Sequence, residues 1–389
     1  MSGSPAGIRV IGLGSIRVRV PFRRPFATAT GMWLHREAWL VRLLAADGRV
    51  GLGEAVLEPE TGEVAETVLR HLLVEAAREA REGRLPAPEV LELHGAPGRA
   101  LRAALDGALF DLRGAPGGRG APAASGAGAA GPGAGVPVNG TIAFGGPREG
   151  AEAARQAIEA GFSTLKLKAG AERETDVLVD RIRAIRAAVG PDVRLRLDVN
   201  GAWDLPTAEE RLEAVARFGI EYAEQPLPAD DVAGMVELRR LVPVPVAADE
   251  AAESPGAVRA LLAADAVDVL VVKPARVGGP AAVAESAERA ARRGVPVVVS
   301  TLFETGVGIA AALAAAAALP AVSGARVPGP LAHGLATAGL LEHDLLLAPL
   351  AVEAGRMRAP GGPGTGGLGI ALDDRAVRRF ASDVVGADG

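Results

Sequence analysis

Apolar and polar residues alternate with a period of two over residues 8–20 and 38–44, the pattern of half-buried strands. Ala46-Asp47-Gly48, just before Val50, is a hairpin turn signal. Over 64–81 and 99–112 the apolar spacing becomes helical, so residues 1–113 predict strands followed by helices, an α+β domain. Residues 114–135, rich in Gly, Ala and Pro, show no period and predict a flexible linker.

Beyond the linker the rhythm is regular. Short apolar runs at 136–142, 164–168, 194–199, 220–224, 245–249, 267–273 and 295–301 alternate with helical stretches such as 175–189, 207–218, 256–263 and 281–293. These are seven βα units, and a short eighth strand near 325–327 would close them into a ring. The spacing specifies a TIM-type (β/α) barrel over 136–350, modified and of seven to eight strands. No Gly-x-Gly-x-x-Gly opens the first helix, which removes the usual reason to prefer an open doubly wound sheet. The tail, 351–389, contains a strand-like 369–372 and is expected to return to the N-terminal capping domain. The mostly apolar 307–320 is too short to span a bilayer and reads as a buried helix.

Composition narrows the class. The chain is 49% hydrophobic but 3% aromatic, which suits parallel strands packed by aliphatic side chains. A net charge of -5 with interspersed signs gives no footprint for nucleic acid or an anionic membrane. There is no cysteine, which excludes thiolate nucleophiles and Cys-ligated zinc. Residues 1–11 have no secretory leader pattern, so a cytoplasmic enzyme acting on a small molecule is expected, with homo-oligomerisation left open. The five histidines, His35, His71, His94, His333 and His343, lack ligand spacing. Among 42 basic residues only Lys166, Lys168 and Lys273 are lysines. Arg cannot be deprotonated in a protein whereas Lys can act as a base, which makes these three candidates for chemistry.

Polar residues end successive strands: Lys166 and Lys168 the second, Asp198 and Asn200 the third, Glu224 the fourth, Asp249 and Glu250 the fifth, Lys273 the sixth. In a barrel these positions open onto one face, where active sites are built. Three carboxylates converging there need a positive partner, and Mg²⁺, with Mn²⁺ as an alternative, is the expected occupant of Asp198, Glu224 and Asp249. Lys166 and Lys168 lie on one side of their strand, so repulsion should lower at least one pKa and prepare a base. Lys273, across the ring, is either a partner acid or a fixed charge. The 300–306 stretch, with Ser300, Glu304, Thr305 and Gly306, suits a substrate carboxylate. Residues 364–369 read as a turn.

Lys166-Leu167-Lys168, Asp198-Val199-Asn200, Glu224-Gln225-Pro226, Ala248-Asp249-Glu250 and Lys273-Pro274 resemble the muconate-lactonizing branch of the enolase superfamily. Pro25-Phe26-Ala27-Thr28, Arg36-Glu37 and the run from Asp47 to Ala55 resemble its capping domain, with a mobile specificity loop at about 24–33. The 136–142 run, with Asn139, and the 300–308 stretch are most similar to the o-succinylbenzoate synthase group of menaquinone biosynthesis. The resemblance implies that Lys168 abstracts the proton α to the carboxylate of a hydroxycyclohexadiene carboxylate held by Mg²⁺. Lys166 and the metal would stabilise the enediolate, Lys273 would face it, and syn dehydration would give o-succinylbenzoate. N-Succinylamino-acid racemase, dipeptide epimerase and muconate cycloisomerase share the enolate half-reaction. The Asp-x-Asp pair typical of dipeptide epimerases is missing around Ser300. A non-catalytic carboxylate-binding barrel is the alternative from another class. The long 114–135 linker and Gly364-Thr365-Gly366-Gly367 depart from the family pattern.

Overall fold

A computed structural model describes residues 8–27, 31–114, 135–358 and 367–386. The linker expected over 114–135 and the turn at 364–369 therefore fall largely outside the described residues, as does part of the loop at 24–33.

The N-terminal part is a meander of β1 (Val10–Ala27), β2 (Met32–Ala45) and β3 (Val50–Ala55), followed by helices α1 (Gly62–Arg81), α2 (Pro88–Glu92) and α3 (Gly95–Gly114). Alternate residues of the sheet, such as Trp39, Val41 and Leu43, bury against Leu69, Leu73, Leu101 and Leu105 of the helices. Helix α3 lies almost on the backbone of β3. A Cβ on Gly51 would come within 2.1 Å of the Ala108 carbonyl oxygen, and one on Gly53 within 1.9 Å of that of Ala104.

The run predicted at 136–142 divides in two. β4 (Val136–Pro137) pairs with the late hairpin β12 (Val352–Glu353) and β13 (Arg356–Met357), whereas β5 (Gly140–Ile142) opens the barrel. After helix α4 (Pro147–Glu159) come β6 (Thr164–Lys168), α5 (Thr175–Val189), β7 (Arg194–Asp198), α6 (Leu205–Ala216), β8 (Ile220–Glu224) and α7 (Val232–Leu241). β9 (Val246–Ala248), α8 (Pro255–Ala263), β10 (Val269–Val272), α9 (Pro274–Val277), α10 (Pro280–Ala291), β11 (Val297–Val299) and α11 (Gly306–Ala317) complete the series. The seven strands β5 to β11 form one parallel sheet in chain order, curled into a half-barrel.

No described strand forms at 325–327. Arg326 instead reaches Asp268 and the carbonyls of Val242 and Pro243, and Val327 joins the barrel floor. The eighth position is taken by single bridges, His333 to Val138 and Gly334 to Ser300, which link the two edges of the sheet. The tail differs too. Within 369–372 only an isolated bridge forms, Leu372 to Leu346; the strand lies later, after α12 (Asp374–Phe380), as β14 (Ala381–Val385). β14 pairs antiparallel with β1, which gives the capping sheet the order β14-β1-β2-β3. No described helix is long and apolar enough to cross a membrane.

Candidate active site

Side chains alternate across a strand, so each inward residue of the barrel floor is followed, two positions on, by an inward residue at the mouth. Tyr222, Ala247, Val271 and Val298 belong to the buried floor cluster, and fully buried Arg196 joins the same level, its guanidinium stacked 4.6 Å from the Tyr222 ring. Two residues further along stand Asp198, Glu224, Asp249, Lys273 and Ser300. Register holds them level: Lys168 pairs with Asp198 across β6 and β7, and Asp198 with Glu224 across β7 and β8.

Lys166 Nζ lies 2.7 Å from Asp198 Oδ2 and donates to Glu224 Oε1 at 2.9 Å. Lys168 Nζ donates to the same Asp198 oxygen at 2.7 Å and to Asn200 Oδ1 at 2.9 Å. Asn200, at φ 51, donates in turn to Glu250 Oε1 at 3.0 Å. On the far side Lys273 Nζ donates to Asp249 Oδ2 at 2.6 Å. The strand order puts β7, β8 and β9, which lead to the three carboxylates, between β6 with its two lysines and β10, which leads to Lys273. Gln225 Oε1 accepts from the backbone N–H groups of Asp249 and Ala251, fixing the turn after β9.

Burial and neighbouring charge set the protonation of this cluster. Burial alone would raise the Asp198 carboxyl, but Lys166 and Lys168 outweigh it and hold Asp198 well below the usual range. Glu224 goes the other way, pushed up to about 7 by burial and, against the pull of Lys166, by the charges of Asp198 and Asp249. Asp249 ends lowered because Lys273, Arg276 and Lys166 overcome the effect of burial. The fall expected for one of two adjacent ammonium groups does not occur at Lys166. Burial does pull it down, yet Asp198, Glu224 and Asp249 hold it well above its ordinary value. Three facing carboxylates outweigh one neighbouring cation.

The donor set suits a hard cation. Asp198 Oδ1 and Glu250 Oε2 are buried with no hydrogen-bond partner among the described residues, and Glu224 is a carboxylate that burial and its acidic neighbours drive toward protonation. A divalent ion with oxygen ligands answers both conditions. As the side chains stand, no three described acidic or histidine residues close on one point. Lys166 occupies the ground between Asp198 and Glu224, and Lys273 with Arg276 engages Asp249.

The other expected site residues are placed differently. Buried Asn139 follows β4, its amide N–H bonded to the His333 carbonyl and its side chain donating to the Gly140 carbonyl. Ser300 is at the mouth and faces the Gly334 carbonyl. Glu304 turns back to accept from the Leu302 N–H and lies beside Glu54 and Arg36 of the capping sheet, where burial and the Glu54 charge push it up to about 7. Thr305 caps α11, and Gly306 is packed so closely that a Cβ would meet Leu346 at 2.5 Å. Phe303, at φ 61, sends its ring to Trp33 at 5.7 Å and Phe22 at 6.2 Å, so β1 and β2 pack against the segment that follows β11.

Sequence reasoning missed the residues that reach this region from elsewhere. Arg276, in α9, donates to Asp249 Oδ1 at 3.2 Å and also pairs with Glu58, just after β3. Glu54 binds the N-terminus of α11. Their one signal is location: Arg276 lies three residues after Lys273, and Glu54 ends a Gly-Leu-Gly-Glu run.

Residues 149–376 match the family model described as "Enolase C-terminal domain-like", over half of the chain. The chain belongs to the enolase superfamily. An o-succinylbenzoate synthase from Thermobifida fusca is 44% identical over 219 residues, which span 55% of this chain and 63% of that protein. The L-Ala-D/L-Glu epimerase of Bacillus subtilis is 29% identical over 94% of this chain and 98% of its own length. A solved structure of a substrate-liganded L-Ala-D/L-Glu epimerase from Bacillus subtilis superposes with a TM-score of 0.76 at 27% identity, covering 94% of this chain and all of that one. An o-succinylbenzoate synthase from Geobacillus stearothermophilus is 29% identical over 93% of each chain. This is an enolase-superfamily enzyme with o-succinylbenzoate synthases and an epimerase among its relatives.

Proposed function

We propose that the protein abstracts the proton α to a substrate carboxylate and completes a syn dehydration to o-succinylbenzoate. The observation that carries the reading is the meeting of Lys166, Lys168 and Lys273 with Asp198, Glu224 and Asp249 at one mouth of the barrel. The 44% identity to the Thermobifida o-succinylbenzoate synthase, over 219 residues, favours the dehydration among the family's outcomes.

Enolase-superfamily sites, a standard example of this chemistry, pair a Lys or His base with Mg²⁺. Asp198, Glu224 and Asp249 would hold the ion, and bound there it would supply positive charge to the substrate carboxylate. With the carboxylates so neutralised, the pull that keeps Lys166 protonated would weaken, and repulsion between the two lysines would favour a neutral amine. Lys168 is the base. Its side chain is 25% exposed, against 14% for Lys166 and 11% for Lys273, so it presents the amine most open to substrate. Neutral Lys168 takes the α-proton, the C–OH bond breaks, and Lys168 returns a proton to the leaving hydroxide as water. Lys166 remains charged beside the carboxylates, and Lys273 balances the developing anion from the other side.

A second reading has its own observation. Lysines on opposite sides of the site, together with the match to the epimerase over nearly its whole length, suit proton removal from one face and return to the other. One experiment separates the two. The enzyme with Mg²⁺ is given the hydroxycyclohexadiene carboxylate, and loss of its ultraviolet absorbance is followed; in parallel an N-succinylamino acid in deuterium oxide is followed for α-exchange. Dehydration that disappears with EDTA and returns with Mg²⁺ supports the first reading, and exchange without dehydration supports the second. Neither activity would leave a carboxylate-binding barrel.

A further inference from the structure

We propose that Glu54 is a positioning residue, a carboxylate of the capping sheet that holds the substrate-side loop of the barrel in place. It deepens the enolate reading and rests on it for the kinetic readout alone. Glu54 is the penultimate residue of β3 and is 6% exposed. Its Oε1 accepts from the Thr305 N–H at 2.9 Å, and its Oε2 accepts from the Thr305 hydroxyl at 2.7 Å and the Gly308 N–H at 2.8 Å. Thr305 is the N-cap of α11 and Gly308 its third residue. These backbone donors are ones a helix cannot satisfy by itself, and negative charge is favoured where they gather. A capping acid normally comes from the same turn of chain. Here it comes from another layer of the molecule, 251 positions away in sequence.

The fit is close from the helix side as well. A Cβ on Gly308 would lie 2.6 Å from the Glu304 Cβ and 3.1 Å from Glu54 Oε2, so glycine is what lets the carboxylate reach the N–H. The anchored Thr305 directly follows Phe303 and Glu304. Phe303 holds a left-handed backbone conformation, which a bulky residue keeps only where its surroundings enforce it. Those surroundings come from the capping layer at both points: Trp33 and Phe22 on the ring, and Glu54 two residues later. Arg36, fully buried on the adjacent β2, supplies the positive field that lets Glu54 and Glu304 sit together. The shape of the loop at the mouth is thus conditional on the capping sheet being docked.

The test uses the full chain with Mg²⁺ and the variants Glu54→Gln and Gly308→Ala. Gln keeps the size but loses the charge, and because only one of its two terminal atoms accepts, at least one of the three donors is left facing an amide N–H. The methyl group that the second variant adds at position 308 would push the carboxylate off from the other side. Hydrogen–deuterium exchange is read peptide by peptide, with kcat and KM for the hydroxycyclohexadiene carboxylate. The expected result is exchange about tenfold faster confined to 302–310, α5 and α6 unchanged, and KM raised about tenfold with kcat within about threefold. Unchanged protection of 302–310 in both variants overturns the proposal, as does a uniform loosening of the whole capping layer with normal KM. If the wild-type enzyme does not turn over the substrate, the dehydration reading fails while the exchange pattern still decides the role of Glu54.

Discussion

Lys168 differs from Lys166 by two residues and by what surrounds its amine. Lys166 is clasped between Asp198 and Glu224, whereas Lys168 donates to Asp198 and to Asn200 and faces the opening. Lys168→Ala is therefore expected to lower α-proton exchange about 10²- to 10⁴-fold, and Lys168→Arg to fail as badly because its cation cannot accept a proton. An arginine variant with near wild-type turnover would remove Lys168 as the base. Glu304 yields a prediction about stability. Burial and the facing Glu54, partly offset by Arg36, push its carboxyl to about 7, above the unfolded value of about 4.3. The native state therefore holds this proton more tightly than the unfolded chain, and stability is lost as pH rises through that window and levels off above it. Glu304→Gln removes this loss. Its advantage over wild type should grow by about 3 kcal/mol from pH 4.5 to 7, read as denaturation midpoints across the range. A constant difference would show that Glu304 does not titrate there. The lysines and metal-candidate acids were legible in the sequence because each ends an apolar strand at a steady spacing. The rise at Lys166 was not, because it depends on how many carboxylates the fold turns toward one amine.

Elements were legible in proportion to the length of their periodic pattern. β6, β8 and α5 begin and end where the alternation and helical spacing place them. The eighth barrel position was misplaced because it consists of two bridged residues, His333 and Gly334, too few to leave a pattern. β14 was missed because polar residues interrupt it, and its burial comes mainly from Val385. A close element-level contact is that of β3 with α3, where two glycines bring strand and helix backbones together. Gly53→Ala puts a methyl group 1.9 Å from the Ala104 carbonyl oxygen, and backbone must move. A loss of at least about 2 kcal/mol is expected in a chemical denaturation curve. An unchanged midpoint would mean that the helix shifts freely on the sheet.

At the scale of the molecule, the segment from Glu54 to Glu58 joins the capping layer to the barrel twice, once at α11 and once through Arg276 to Asp249. Neither contact was readable from the chain, because partners far apart in sequence meet only after two layers dock. Glu58→Gln leaves Arg276 with Asp249 as its acidic partner. Glu58 is one-third exposed, so the expected loss is modest, about 1 kcal/mol, together with a lower apparent affinity for Mg²⁺ in a calorimetric titration. Equal affinity in wild type and variant would confine the pair to fastening the layers.

The pairing of β14 with β1 has a consequence for assembly. During synthesis β1, β2 and β3 leave the ribosome before the barrel strands, yet the neighbour that pairs with the other edge of β1 emerges only after them. The sheet above the charged residues is therefore completed only by a strand that lies beyond the whole barrel in the chain.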